Sequence, residues 1–268
     1  MAHFRKLRIL VEGDSWHRLP TLSDNAKKAG IGIGGSNFDV ARGLAALGHE
    51  VNNIAKWSEL ITEFSLTTAY VEAIESWKPD VFVLCGGGND LFDGQKLQKI
   101  LGVYAPGKSP AGYVKNTPYN EALAPILKAY DRMFTRVAET KHGSKLPIVC
   151  HTYDFPIPRA RAPWLFRPMQ TQGIFNDQDM PVGPDKELGS KIVHVLLKRF
   201  HKKLVAVRNQ HPNKANIRIE RVFGAVGPSV SEWHDEIHPK KEGFQRVANK
   251  ISDACLLMTE PQSDALIV

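Results

Sequence analysis

Long apolar runs are missing from this chain of 268 residues: no segment reaches the ~18–20 consecutive apolar residues that a membrane-spanning helix needs. The start, Met1-Ala2-His3-Phe4-Arg5-Lys6, leads straight into a strand-like run without the apolar core of a secretory signal, so a cytoplasmic location is expected. Cysteine is scarce. Cys85, Cys150 and Cys255 cannot all pair within one chain, and none has the spacing of a metal site. Cys85 and Cys150 each end an apolar run and read as small core residues in a reducing compartment. Internal repeats, low-complexity tracts and a convincing interdomain linker are also lacking, so residues 1–268 are expected to form a single domain. Neither charge sign is short, but 35 Lys and Arg outweigh 28 Asp and Glu for a net charge of +7. The densest basic stretch, Lys198-Arg199-Phe200-His201-Lys202-Lys203, falls in a helical pattern with Val195, Leu196, Leu197 and Leu204. It reads as the solvated side of an amphipathic helix, and no nucleic-acid partner is expected.

What the chain does have is a regular alternation of strands and helices. Leu7–Glu12, Glu50–Ala55, Asp80–Cys85 and Pro147–Tyr153 read as strands, and Asn216–Val222 alternates as an edge strand exposed on one face would. Helical patterns lie between and after them, at about 36–48, 59–77, 119–141, 186–211 and 242–258, with Ser36 as a helix cap and Gly48 as a stop. Such an order predicts an α/β fold with parallel crossovers and helices on both sheet faces. Two proline- and glycine-rich stretches, about 92–118 and 154–184, resist the scheme. Both follow a strand, so both are expected to wall or cover a site at the carboxyl edge of the sheet.

Three short motifs fall at that edge. Gly13-Asp14-Ser15-Trp16 follows the first strand, Gly86-Gly87-Gly88-Asn89-Asp90 follows the third, and Asp235-Glu236-Ile237-His238-Pro239 precedes the last helix. Each has an ordinary structural reading alone: a turn serine, a left-handed asparagine, a capping aspartate. Together they supply what serine-based hydrolysis needs, namely a hydroxyl, a base with an orienting carboxylate, and donors for a developing oxyanion. Ser15 is then the nucleophile, His238 the base and Asp235 its partner, while the Asn89 side chain and the Ser15 N–H point to the oxyanion hole.

In this order and content the chain resembles the SGNH hydrolases, also called the GDSL esterase/lipase family, over nearly its whole length. The first block corresponds to Gly13-Asp14-Ser15, the third to Gly87-Gly88-Asn89-Asp90 and the fifth to Asp235–Pro239, with Gly243 matching a glycine that often follows the His-Pro step. The resemblance implies a flavodoxin-like three-layer α/β/α sandwich with a five-stranded parallel sheet ordered 2-1-3-4-5. It also implies an esterase working through a catalytic triad and an acyl-enzyme, with no cofactor and no metal. The second block departs from the family's Asn-x-Gly-x-x-Gly, reading Asn53-Ile54-Ala55-Lys56-Trp57-Ser58. Ser58 then stands where a glycine usually offers its N–H to the oxyanion, and a positive φ there costs energy for a serine. Trp16 also replaces the leucine or small residue usual after Gly-Asp-Ser.

Other readings are weighed against this one. Gly30-Ile31-Gly32-Ile33-Gly34-Gly35 contains a formal G-x-G-x-x-G but follows no strand, and reads as a loop beside the site. A metal-dependent hydrolase would use His234, Asp235 and His238, aided by His151 and Asp154, and would leave Ser15 and Asn89 unexplained. A third reading is an SGNH-like binding module whose altered second block has weakened catalysis. For the substrate, a small-molecule or lipid-like ester is expected, with Trp16, Trp57, Trp164 and Phe166, beside Met169, lining an acyl pocket. Arg159, Arg161 and Arg167 would favour an anionic ester.

Overall fold

The computed structural model describes residues 5–19 and 38–260. The glycine-rich loop at 30–35 and the Ser36 cap lie outside them. Five strands, β1 (Arg8–Gly13), β2 (Glu50–Asn53), β3 (Val81–Cys85), β4 (Ile148–His151) and β5 (Ile217–Glu220), form one sheet ordered β2-β1-β3-β4-β5. Every pairing is parallel, with Leu10 beside Asn52 and Phe82, Leu84 beside Cys150, and His151 beside Glu220. The central strands read as unbroken apolar runs because they are covered on both faces. All five residues of β3 are buried, as are Ile9, Leu10 and Val11 of β1. β5, at one edge, is only half-buried beyond Ile217.

The crossovers are α1 (Val40–Ala46), α2 (Ile61–Phe64), α3 (Ala69–Trp77), α4 (Gly88–Leu91), α5 (Gly94–Ile100), α6 (Asn116–Glu139), α7 (Phe166–Thr171), α8 (Leu188–Gln210) and α9 (Lys241–Thr259). Helix α1 packs on α9, and α6 packs on both α3 and α8, which gives the helical layers of a flavodoxin-like sandwich. The first helix starts from Asp39, whose carboxylate accepts the Arg42 N–H at 2.9 Å. The helix expected at 59–77 is two. Between them the carbonyls of Ser65 and Thr67 accept from the Arg136 guanidinium at 3.2 and 2.7 Å, which withdraws them from an intrahelical ladder. On α8 the basic stretch behaves as read: Phe200 and Leu204 are buried while Lys198, Lys202 and Lys203 are exposed. The three cysteines are buried and free.

The resistant stretches are less irregular than their composition implies. The first contains α5 and closes through an antiparallel bridge of Leu101 with Val114, and the second contains α7. Because all strands run the same way, their carboxyl ends meet along one edge. Gly13 pairs with Cys85 there, and His151 follows Cys150 on the neighbouring strand.

Candidate active site

β1 ends at Gly13 and the chain turns at once. The N–H groups of His17 and Arg18 both donate to the Asp14 carbonyl at 3.0 Å, and this single turn carries Ser15. From the other end of the sequence, the loop before α9 is fixed by the His234 N–H donating to the His238 carbonyl at 2.8 Å and by a bridge between Trp233 and Pro239. Within it, Asp235 Oδ1 accepts the N–H groups of Ile237 and His238, each at 2.8 Å. That leaves Oδ2 aimed at His238 Nδ1, 2.7 Å away, while His238 Nε2 lies 2.8 Å from Ser15 Oγ. A proton on Nδ1 facing the carboxylate leaves Nε2 as an acceptor toward the serine hydroxyl, the tautomer a general base requires. Burial works to raise the Asp235 carboxyl, but hydrogen bonds from His238 and the two backbone N–H groups leave it below the usual carboxylate range. Asp235 therefore stays ionised beside the imidazole.

The third block is held by two tyrosine hydroxyls. Tyr130 exchanges hydrogen bonds of 3.0 Å with the N–H and carbonyl of Gly86. Tyr153 accepts the Gly88 N–H at 2.8 Å and donates to the Asp14 carboxylate, linking the loops after β1 and β3 through the segment after β4. A Cβ on Gly88 would fall 2.7 Å from the Tyr153 ring, so glycine is what permits this approach. The Asp14 carboxyl is pushed up to about 6 by burial, partly offset by its bonds from Tyr153 and the Trp16 N–H. Asp90 in turn accepts from the Ile61 N–H at 3.0 Å and the Thr62 hydroxyl at 2.6 Å, tying α2 to the same block.

Ser15, Ser58 and Asn89 line one cleft of about 190 Å³, together with Trp16, Phe92, Tyr153, Pro156, Trp164 and Ile237, and with Asp93. Asn89 donates through Nδ2 to the Glu59 carbonyl at 3.1 Å, which orients its amide beside Ser58. Ser58 has φ of 63°. The altered second block thus keeps a left-handed turn at the glycine position and carries a cost of ~1–2 kcal/mol for doing so with a serine.

Trp164 reaches the cleft because of Glu236. This buried carboxylate accepts four backbone N–H groups, from Arg159 (3.3 Å), Trp164 (3.0 Å), Leu165 (2.9 Å) and Phe166 (2.6 Å). The Trp164 ring then stands edge-on to His238, 6.3 Å between centroids. Burial raises the Glu236 carboxyl to about 7 against those four hydrogen bonds. Neither Tyr153 nor Glu236 stands out in the sequence as a site residue. A glutamate beside the Asp-x-x-His aspartate was the one available signal.

Three residues expected along the pocket lie elsewhere. Phe166 is buried and stacks on Phe175 at 4.5 Å, and its neighbour Met169 is likewise core. Trp57 is half-buried and is not among the residues of the cleft wall, because the left-handed turn at Ser58 presents the serine there. The arginines divide. Arg159 donates to the carbonyls of His234 and Val230, and Arg161 pairs with Asp179 at 2.9 Å. Arg167 borders an open groove that shares Trp164 and Asp93 with the cleft. Of the residues in the metal-hydrolase reading, Asp235 and His238 meet, but the two ring nitrogens of His238 face Asp235 and Ser15, while His151 faces His17 and Asp154 accepts the N–H groups of Gly224 and Val226 at 2.7 and 2.6 Å.

No protein-family profile matches the sequence, and no curated protein matches it either. Solved structures do. A carbohydrate acetylesterase family member from Sinorhizobium meliloti is 14% identical over 95% of this chain and 99% of its own, with a TM-score of 0.49. A carbohydrate esterase family 3 protein from Talaromyces cellulolyticus is 11% identical over 94% of this chain and 98% of its own, with a TM-score of 0.46. An acetyl esterase is also similar, at 11% identity over 94% of this chain and 98% of its own, with a TM-score of 0.47. These likenesses are distant. The sheet order and the side-chain geometry stand independently of them.

Proposed function

We propose that the protein is an ester hydrolase of the SGNH type that works through an acyl-enzyme on Ser15. The observation that carries this reading is the unbroken chain Asp235–His238–Ser15, with contacts of 2.7 and 2.8 Å, opening on a cleft. Ser15 Oγ attacks the ester carbonyl carbon as its proton passes to His238 Nε2, and Asp235 holds the resulting imidazolium in place. The oxyanion is received by the N–H groups of Ser15 and Ser58 and by the Asn89 side-chain amide. When the tetrahedral intermediate collapses, the C–O bond to the alcohol breaks and His238 returns the proton to the departing oxygen. A water, deprotonated by His238, then attacks the acyl-serine and releases the acid. None of these steps needs a cofactor.

The cleft's volume of about 190 Å³ lies below the ~300–1,000 Å³ of pockets that enclose drug-sized ligands, which favours a short acyl group. Phe92, Pro156, Trp164 and Ile237 give that group an apolar wall. Hydrolysis of p-nitrophenyl esters of graded chain length tests the reading. Turnover should be greatest for the shortest chains, unaffected by a chelator, and lost in Ser15→Ala. Chelator-sensitive turnover that survives in Ser15→Ala would reject it.

A further inference from the structure

Directly beneath the nucleophile turn, His17 and His151 face each other, both fully buried, with their Nε2 atoms 2.8 Å apart. Each ring also holds Nδ1 against a backbone carbonyl, His17 against Glu12 at 2.8 Å and His151 against Thr152 at 2.7 Å. A carbonyl only accepts, so each Nδ1 carries its ring's proton, and each Nε2 then presents a lone pair to the other. Two lone pairs at hydrogen-bonding distance are repulsive. Three short contacts need three bridging hydrogens or cations, and two neutral rings supply only two N–H hydrogens. Something positively charged belongs between the Nε2 atoms.

A third proton would fill the gap, but it would leave a net positive charge on two rings shut away from water. Among the described residues no carboxylate hydrogen bonds either ring, and an uncompensated buried charge is costly. The third member of the cluster supplies the compensation: Cys85 Sγ lies within 4.8 Å of a ring nitrogen of each histidine. A thiol that binds a metal ion loses its proton, and the thiolate offsets the ion's charge.

We propose that His17, His151 and Cys85 form a buried site for one soft metal ion, with Cu⁺ as the occupant that leaves the cluster neutral. Both imidazoles donate their remote N–H to a backbone carbonyl, the outer-sphere arrangement usual for ligating histidines. Two imidazoles and one thiolate suit Cu⁺ or Zn²⁺, and a dry site with three ligands suits the ion that does not require a fourth. The ligands come from the turn after β1, the end of β3 and the end of β4, so the ion would pin three strands together under Ser15. The local sequence is shaped around the cluster, since a Cβ on Gly13 would fall 2.8 Å from His17 Nδ1 and run into the Cys85 carbonyl. To bind at ~2.0–2.1 Å with a trigonal angle, the ring nitrogens move apart by roughly 0.7 Å from their 2.8 Å contact. The ion has no part in ester cleavage; it braces the turn that carries the nucleophile.

The test is metal content and melting temperature of the full chain, produced in media supplemented with copper or zinc and in chelated medium, then desalted under reducing conditions. About one ion per chain should be retained from the copper medium in preference to zinc, with Tm raised by about 5 °C or more over the chelator-grown protein. His17→Gln and Cys85→Ser should lose both the ion and the shift. Cys150→Ser, an equally buried thiol outside the cluster, should keep them and so control for damage to the core. Metal-free protein with an unchanged Tm from every medium would overturn the proposal and leave a shared proton between the rings. So would an ion retained equally by His17→Gln and Cys85→Ser.

Discussion

Tyr153→Phe removes one oxygen and should disturb the site at two points. The hydroxyl donates to the buried Asp14 carboxylate and accepts the Gly88 N–H at 2.8 Å, so its loss leaves a carboxylate short of a donor and a backbone donor without its acceptor. The hydrogen bond to a charged group contributes ~1.5–3 kcal/mol and an unsatisfied buried N–H costs ~1–3 kcal/mol, so a loss of about 3 kcal/mol is expected. For a chain of this size that lowers Tm by about 6 °C. The cost should also depend on pH. The Asp14 pKa is about 6, and the Tyr153 hydroxyl favours its ionised form. Removing that hydroxyl raises the pKa further, so the variant is penalised most above pH 6, where wild-type Asp14 is charged, and least near pH 5. Differential scanning calorimetry at pH 5 and pH 8 measures both terms, and ester hydrolysis should show a lower kcat as Gly88 and Asn89 lose their anchor. A Tm within 1–2 °C of wild type at both pH values, with kcat unchanged, would refute the reasoning.

Three further outcomes follow from the same geometry. Ser58→Gly should retain or raise activity, because glycine adopts the φ of 63° without the ~1–2 kcal/mol penalty, whereas β-branched Ser58→Val should lower both kcat and Tm; steady-state kinetics and thermal melts on the pair check this. Glu236→Gln replaces an acceptor-only group by an amide facing four N–H donors, so it should loosen residues 159–166, speed their proteolysis and raise KM more than it lowers kcat. Glu12 is buried with its carboxyl raised to about 8 by desolvation, so the folded state holds a proton that the unfolded state releases above 4.5. Wild type should therefore lose stability relative to Glu12→Gln as pH rises through that window, by up to ~1.4 kcal/mol per pH unit; denaturant melts from pH 5 to 9 show the slope, and a constant difference would contradict it.

The sheet was legible because parallel strands covered on both faces have no polar side to hide: Val81–Cys85 and Ile148–His151 announce themselves as apolar runs. The pairing of Asp235 with His238 was legible because the two are three residues apart and their contact is local, made by one turn whose N–H groups the aspartate itself caps. What depended on distant partners was not. The helix expected at 59–77 is interrupted where the carbonyls of Ser65 and Thr67 bond the Arg136 guanidinium of α6, about seventy residues on. Phe166 carries the pattern of a pocket aromatic, but Phe175 claims it for the core. Tyr153 and the pairing of His17 with His151 have no sequence signature, and Glu236 has only its place beside Asp235, because each acts on groups that only the sheet order brings together.

The central claim is that Ser15 is an activated nucleophile, and covalent capture tests it most directly. Wild-type protein treated with a fluorophosphonate should gain the mass of one phosphonyl group, mapped to the Gly13-Asp14-Ser15 peptide, and His238→Ala should be labelled far more slowly. An unlabelled wild-type protein, or a label mapped to any residue other than Ser15, would contradict the account.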